Sequence, residues 1–553
     1  MAASKMKRLY QSLDMPVEKY FTRYALPLVI AGIGATALLV FLFPELAADG
    51  LFKYVFLAIP VLFSVVAVIY PMLQGERKKV QIERNMHLFL VRMSVLSTSK
   101  LPRKKMLEIL SKVKEYEALS LEIEKIYKLM EYWNMGLSDA ARTVSRKTPS
   151  PMLADFLDRL AHSSDAGEDL EEFLTKEREV SMSVYINKYE TALKDLDLLN
   201  EIFVAVLISL MFILVFVALL PVFVDISITL ILPGVALLFV IVEGMVLYLV
   251  KSLLPSDPIW HNIKGQTEID KVMKSVLPAT YAACIGFAAF GFLTGLPLML
   301  IVALVVTPLL YPGFMIRREE KRVRARDENY DSFMRAVGSY AASAGSAVTD
   351  GVGRLSKHDF GELSEGIVIL YKRLLTRIDQ IRAWNLFAAE SGSNLISKFT
   401  EMYVVGLSVG GKVDKVIDII SDNFVKLMGV RRKRYQSSDN MLGTLYGMSV
   451  GITFTLFSAL SLMQLLNIMN EQFALSQTTI NLPIALKPFD LGLAEAVFLL
   501  IMLVHSLISA NLVSFAGGSH KHSFYINFAI ITWISTVTAI VTQLMLDKVL
   551  NLS

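Results

Sequence analysis

One cysteine, Cys284, stands in 553 residues. It excludes an intrachain disulfide, a CxxC redox centre and a thiolate metal cluster. Charge is scarce as well: Asp, Glu, Lys and Arg make up 19% of the chain, against 54% hydrophobic residues and a mean hydropathy of +0.51. The seven histidines, at 87, 162, 261, 358, 505, 520 and 522, never fall into a metal-ligand series with carboxylates. No serine nucleophile elbow and no zinc-protease motif occurs. The sequence offers no enzyme. The net charge of +4 reflects the bias of basic residues in a membrane chain and gives no sign of nucleic-acid binding.

What the chain has is apolar blocks. They lie near 26–43, 51–71, 202–223, 228–250, 277–293, 295–312, 443–467, 492–513 and 524–545. Each is long enough to cross roughly 30 Å of hydrocarbon as a helix, so the expectation is an all-α polytopic membrane protein with about nine transmembrane helices. The leader carries Lys5, Lys7, Arg8, Lys19 and Arg23 with no clear cleavage site, which predicts a retained first span and a cytoplasmic N-terminus. Parity then puts 72–201, 251–276, 313–442 and 514–523 inside. It leaves 44–50, the turns around 224–227 and 294, 468–491 and the C-terminus outside.

This divides the chain into a leader with two spans (1–71), a first soluble domain (72–201), four spans with a linker at 251–276 (202–312), a second soluble domain (313–442) and three final spans (443–553). Tyr70–Pro71 and Tyr311–Pro312 mark the two exits from the membrane, and Gly167 in "SSDAGEDL" pairs with Gly411 in "LSVGGKVDKV" at nearly the same offset, roughly 240 residues. Two copies of one unit is the economical reading. Apolar residues three and four apart in "LPRKKMLEILSKV" and "EALSLEIEKIYKLMEYW" predict helical bundles, with "SRKTPSPM" supplying a cap and a proline start. The helix after Gly167 is expected to run from about 170 to 222, with Asn200 and Glu201 as the alternative hinge.

Few motifs suggest chemistry. "GLSVGGKV", 406–413, imitates a phosphate-binding loop, but Val413 stands where the magnesium-binding hydroxyl belongs. "DAGEDLEE", 165–172, is dense in acid, as helix starts are, and offers Asp165, Glu168 and Asp169 to a basic partner. His520 and His522 in "GGSHKHSF" read as a solvated loop. Glu243 is a carboxylate inside an apolar block, costly there unless it is partnered. Pro60 and Pro308 are candidate kinks. The run Arg431, Arg432, Lys433 and Arg434 before a span suits either an anionic-lipid anchor or an acidic protein surface.

Two all-helical soluble domains, each followed by spans, resemble the type II secretion system F domain family of platform proteins. The residues that carry the resemblance are "NMHLFLVRMSVLSTS", "DFLDRLAHSSDAGEDLEEFLTKE" and "LSVGGKVDKVIDII". The extra spans and long N-terminal part are similar to the family's archaeal branch, which builds archaella and archaeal type IV pili. The resemblance implies a non-enzymatic membrane platform without cofactor or metal. Its implied partners are a cytoplasmic hexameric secretion ATPase, archaellin or pilin-like subunits, other archaellum motor components and membrane lipids, with a homodimer left open. It implies turn roles for Gly167 and Gly411. Charge and position nominate Arg431, Arg432, Lys433 and Arg434 as ATPase or lipid contacts, with Glu168, Asp169 and Glu171 as a secondary patch. A transporter using Glu243 is the alternative, although the second half has no matching carboxylate. A membrane sensor would need a larger outer domain than 468–491.

Overall fold

The computed structural model describes residues 20–42, 52–223, 228–261, 268–344, 348–376, 378–475 and 491–549. The basic leader up to Lys19, the segments 44–50 and 224–227, and most of 468–491 lie outside them. Among the described residues every regular element is a helix, apart from one isolated bridge between Trp260 and Ser393. Seven helices among the described residues are long and apolar enough to cross a membrane, so the expected nine is not confirmed. The first two apolar blocks do fold as helices, α1 (Leu26–Leu42) and α2 (Phe52–Ser97). α1 continues directly from a π-helical stretch at Phe21–Ala25, so 20–42 is one helical run.

The chain forms two compact units. The first comprises Met1–Tyr185 and Val405–Ile420. In it α1 and α2 pair as a hairpin, with Gly32 against Phe63 and the Tyr20 hydroxyl donating to the Ala67 carbonyl at 2.6 Å. Tyr70–Pro71 does not end a helix, since α2 continues through it for 46 residues in all. Beyond it the unit packs α3 (Arg103–Ser111), α4 (Ala118–Tyr132), α5 (Leu137–Ser145) and α6 (Pro151–Ala166). Ser150 caps α6 by accepting the Leu153 N–H at 3.3 Å, and Pro151 occupies the first turn, where no N–H is needed. Phe89 of α2 is fully buried, edge-on to Tyr116 at 6.0 Å and to Phe156 at 6.4 Å. Burial of these rings supplies much of the local stability.

α7 (Leu170–Phe223) follows Gly167 without a break for 54 residues, through Asn200 and Glu201. Its early turns belong to the first unit and the rest, from Ile186, to the second.

The second unit holds Ile186–Val404 and Ser421–Ser553. α8 (Ile228–Leu253), α9 (Glu268–Thr294) and α10 (Leu298–Val306) follow in order. Gly295, in the left-handed region at φ 65°, turns the chain between α9 and α10. A 3₁₀ turn at Thr307–Leu309 containing Pro308 separates α10 from α11 (Leu310–Ala344), so Tyr311 and Pro312 lie in a first helical turn. α12 (Val348–Leu355), α13 (Ser364–Leu375), α14 (Gln380–Glu390) and α15 (Asn394–Ser408) complete the middle of the chain. Their core is aromatic: Phe333 of α11 meets Trp384 at 6.1 Å and Phe387 at 5.9 Å. α16 (Val413–Leu475) then runs 63 residues across the expected boundary at 442. α17 (Leu491–Gly517) and α18 (Phe524–Val549) close the chain as a hairpin. The bundle core is formed by residues such as Phe203, Leu207, Phe239, Leu456, Phe457, Phe498 and Met502.

Candidate functional site

Three groups of residues stand out. The first begins on α16, where Arg431 and Arg434 are one turn apart and share a helix face. Both are interior, Arg431 only 1% exposed. The Arg431 guanidinium grips Asp257 with two bonds, Nε to Oδ2 at 2.8 Å and Nη2 to Oδ1 at 2.5 Å. Its Nη1 reaches Asp327 of α11 at 3.2 Å, and Nη2 also donates to the Pro258 carbonyl at 3.1 Å. Asp327 further accepts the Ser393 hydroxyl.

Arg434 is spent on carbonyls. Nε donates to Ala516 at 2.6 Å and Nη2 to Phe515 at 2.8 Å, both in the last turn of α17, where a cation offsets the unpaired carbonyl ends. Nη1 meets the Tyr189 hydroxyl of α7 and the Asp257 carbonyl, each at 3.1 Å. Burial alone would raise the Asp257 carboxyl, but the Arg431 charge, its hydrogen bonds and the Arg434 charge outweigh it and hold the group at about 2. α7, the 254–261 linker, α11, α16 and the end of α17 thus share one buried charge lock.

Gly518 completes the lock. Its φ of +66° disfavours a side chain, and a Cβ there would sit 2.8 Å from the Asp257 carbonyl. The neighbouring loop is anchored too: Glu320 accepts the His520 N–H at 2.6 Å and the Ser523 hydroxyl at 3.2 Å. The histidine loop is thus tied to α11 through the His520 backbone and Ser523, with Lys521 exposed and His520 and His522 half-buried.

The second group lies within the bundle. Glu243 of α8 and His505 of α17 are buried, with Oε1 and Nδ1 2.5 Å apart. His505 Nε2 is 3.3 Å from the Ser449 hydroxyl of α16, which itself donates to the Leu445 carbonyl at 2.7 Å. With that proton committed, Ser449 offers Nε2 an acceptor.

The third group lies in the first unit, around Gly167. The Gly167 N–H bonds to Ser164 O at 3.4 Å and the Glu168 N–H to Ser163 O at 3.1 Å, a Schellman turn with Gly167 at φ 70°. The same pattern recurs after α15, where the Gly410 and Gly411 N–H groups bond to Leu407 O at 3.0 Å and Gly406 O at 2.9 Å. There the left-handed residue is Gly410, at φ 82°, and not Gly411. Gly411 is needed for another reason, because a Cβ would lie 2.7 Å from Gly406 O and 2.9 Å from Thr98 Oγ1. "GLSVGGKV" is therefore a helix end, a turn and a helix start. Glu171 and Lys415, in the first turns of α7 and α16, form an ion pair.

These positions revise the basic run. Arg431 and Arg434 are interior and structural, not surface contacts, because each fills its donors with carboxylates or carbonyls of the lock. Arg432 and Lys433 remain exposed, Lys433 paired with Glu190 at 2.6 Å. In the secondary patch, Asp169 accepts the Glu171 N–H at 3.2 Å and Glu168 meets Lys176 at 3.5 Å. Sequence reasoning missed Asp257, Asp327, Tyr189 and His505. The available signals were the helix face shared by Arg431 and Arg434, and a histidine in one apolar block opposite a carboxylate in another.

A profile of the family described as type II secretion system (T2SS), protein F, matches residues 89–218. A curated protein named flagella accessory protein J from Methanocaldococcus jannaschii is 31% identical over 545 residues, covering 97% of this chain and 96% of that protein. One of the same name from Methanococcus voltae is 30% identical over 543 residues, covering 96% of each. No solved structure matches.

Proposed function

This chain belongs to the flagella accessory protein J family, and from that premise we propose that it is a non-enzymatic platform for archaellum assembly, docking a hexameric secretion ATPase and passing its motion to filament subunits. Membership already makes it a multi-pass membrane protein of the motility and secretion class. In this reading the N-terminus and the two soluble domains, 72–201 and 313–442, are cytoplasmic copies of one unit, as the distribution of Lys and Arg favours. The ATPase supplies the energy, archaellin or pilin-like subunits receive the motion, and Arg432 contributes a contact to the ATPase or to anionic lipid.

The observation that carries the reading is the unbroken course of α7, which runs from the soluble turn at Gly167 into an apolar, membrane-length stretch with no hinge at Asn200 or Glu201. A continuous hydrogen-bonded helix passes axial and rotational displacement with little slack. The test is co-purification of the full-length protein, in detergent or nanodiscs, with its cognate secretion ATPase. Nucleotide-dependent association supports the reading, and Arg432→Glu is expected to weaken it in a salt-sensitive way. No association under any nucleotide condition would sink ATPase docking while leaving the family membership untouched.

A further inference from the structure

A cavity of about 420 Å³ opens in the second unit, lined by residues of α9, α11, α13 and α14. That volume is in the range of small-molecule sites, roughly 300 to 1,000 Å³. The sequence around it sets its level. From Ser275 to Ile316 the chain has no Asp, Glu, Lys or Arg, and the helices Lys271–Thr294 and Leu298–Ala342 each carry an apolar stretch of membrane length. Lys274 is thus the last charge before this hairpin enters the bilayer, with Lys271 one turn behind it, and Arg317 is the first charge after it leaves. Glu319 follows Ile316 by about 4.5 Å of helix axis and Arg322 by about 9 Å. The headgroup layer is about 5 to 7 Å deep on each side. The cavity therefore begins at the headgroups and continues away from the membrane.

Its charge is divided by element. α9 and α11 bring Lys271, Arg322 and Arg326, whereas the 3₁₀ turn Gly361–Leu363, α13 and α14 bring Glu362, Glu365 and Glu390. Part of this charge is satisfied within the protein. Arg326 donates to Glu319 and to the Ser391 carbonyl, each at 3.0 Å, and Glu390 accepts two bonds from Arg373, at 2.8 and 2.5 Å. The rest is not. Arg322 has only long contacts, 3.4 Å to Glu319 and 3.8 Å to Glu362, and its Nη2 has no acceptor among the described residues. Lys271 and Glu365 are exposed and form no ion pair among the described residues. Two cations, Lys271 and Arg322, and two carboxylates, Glu362 and Glu365, are left over in one cavity that Ile369 and Phe387 line with apolar surface.

That balance selects the ligand. A polyphosphate would meet the carboxylates and a simple ammonium would meet the cations, and like charges at close range oppose binding. A molecule with a phosphate and an ammonium a few ångströms apart satisfies both sets. Arg322 and Lys271 can donate to the phosphate oxygens, while Glu362 and Glu365 accept from the ammonium. The level of the cavity suits the same chemistry, because an aminophospholipid presents this pair of charges at the membrane surface.

We propose that the cavity bounded by Lys271, Arg322, Glu362 and Glu365 binds a phosphate–ammonium zwitterion, the headgroup chemistry of an aminophospholipid. A lipid held there ties α11 and α13 to the bilayer where the hairpin emerges.

The test uses full-length protein in detergent and four probes: short-chain phosphatidylethanolamine, short-chain phosphatidylglycerol, soluble phosphoethanolamine and inorganic phosphate. Binding is followed by native mass spectrometry and by the shift in thermal unfolding. Wild type is expected to prefer phosphatidylethanolamine to phosphatidylglycerol by about tenfold, the effect of one charge-assisted contact. Glu365→Gln should erase that preference without weakening phosphatidylglycerol, and Lys271→Gln should weaken both lipids. Because both side chains are exposed, the lipid-free variants should unfold at the wild-type temperature. Phosphoethanolamine bound as tightly as its lipid would assign the site to a soluble zwitterion, and binding of the lipid alone would assign it to the membrane; either supports the proposed chemistry. Equal wild-type affinity for the two lipids, a preference untouched by Glu365→Gln, binding of inorganic phosphate only, or no binding at all would overturn it.

Discussion

Arg431 and Asp257 are joined side by side, Nε to Oδ2 at 2.8 Å and Nη2 to Oδ1 at 2.5 Å, with the guanidinium otherwise closed in by Asp327 and a backbone carbonyl. A two-pronged contact of this kind needs a planar fork, which lysine lacks. Arg431→Lys is expected to lower the unfolding temperature measurably. Arg431→Met should cost more, about 3 to 5 kcal/mol, because two carboxylates then stay behind without their cation. Adding Asp257→Asn to Arg431→Met should recover part of the loss. Thermal unfolding in detergent checks the series, and equal effects for Lys and Met would refute the geometric claim.

The pH dependence has a definite sign. The Asp257 carboxyl is held at about 2 in the folded protein, against about 3.9 unfolded. Its depressed value adds stability that is complete above the unfolded value and is lost as pH falls from about 4 to about 2. The unfolding temperature should drop across that window, and Asp257→Asn should show a shallower drop from a lower starting point. A variant with the full wild-type slope would remove Asp257 from the explanation.

Within the bundle, His505→Leu leaves Glu243 buried without its hydrogen-bond partner, at an expected cost of about 3 kcal/mol. Glu243→Gln keeps an amide within reach of His505 and should cost less. The double replacement Glu243→Leu/His505→Leu should be more stable than His505→Leu alone, since no polar group is then stranded. If the loss in the double replacement equals the sum of the losses for Glu243→Leu and His505→Leu measured singly, the pair is not a coupled unit.

The two glycines at the second Schellman turn should separate by mechanism. Gly410→Ala forces a side chain into the left-handed region, for about 1 kcal/mol. Gly411→Ala drives a methyl into a backbone carbonyl and Thr98, for about 2 to 3 kcal/mol. Gly410→Asn should be nearly silent, as asparagine tolerates that conformation, whereas Gly411→Asn should be worse than Gly411→Ala. The reverse order in unfolding temperatures would restore Gly411 as the conformational position.

The readable part of the fold was its local part. Apolar blocks, the Ser150–Pro151 start, the turn at Gly167 and the helix after it rest on residues within a few positions of one another. The candidate site rests on residues far apart. Four consecutive basic residues look alike in sequence whether they face water or not. Only the distant Asp257, Asp327 and α17 carbonyls separate Arg431 and Arg434, which turn inward, from Arg432 and Lys433, which turn outward. Glu243 read as isolated because its partner is on another helix 262 residues away. Tyr70–Pro71, read as the exit from an apolar block, lies inside one helix, because α2 continues through it.

Arg434 finds its carbonyls at Phe515 and Ala516, near the end of the chain, while its other contacts reach back to Tyr189 and Asp257. During translation both arginines leave the ribosome well before the final hairpin exists. Without α17, Arg434 has no helix end to close. A chain truncated before residue 491 would lack the Phe515 and Ala516 carbonyls that Arg434 donates to, so its expected defect is a buried guanidinium short of acceptors in the middle of the protein rather than at the cut.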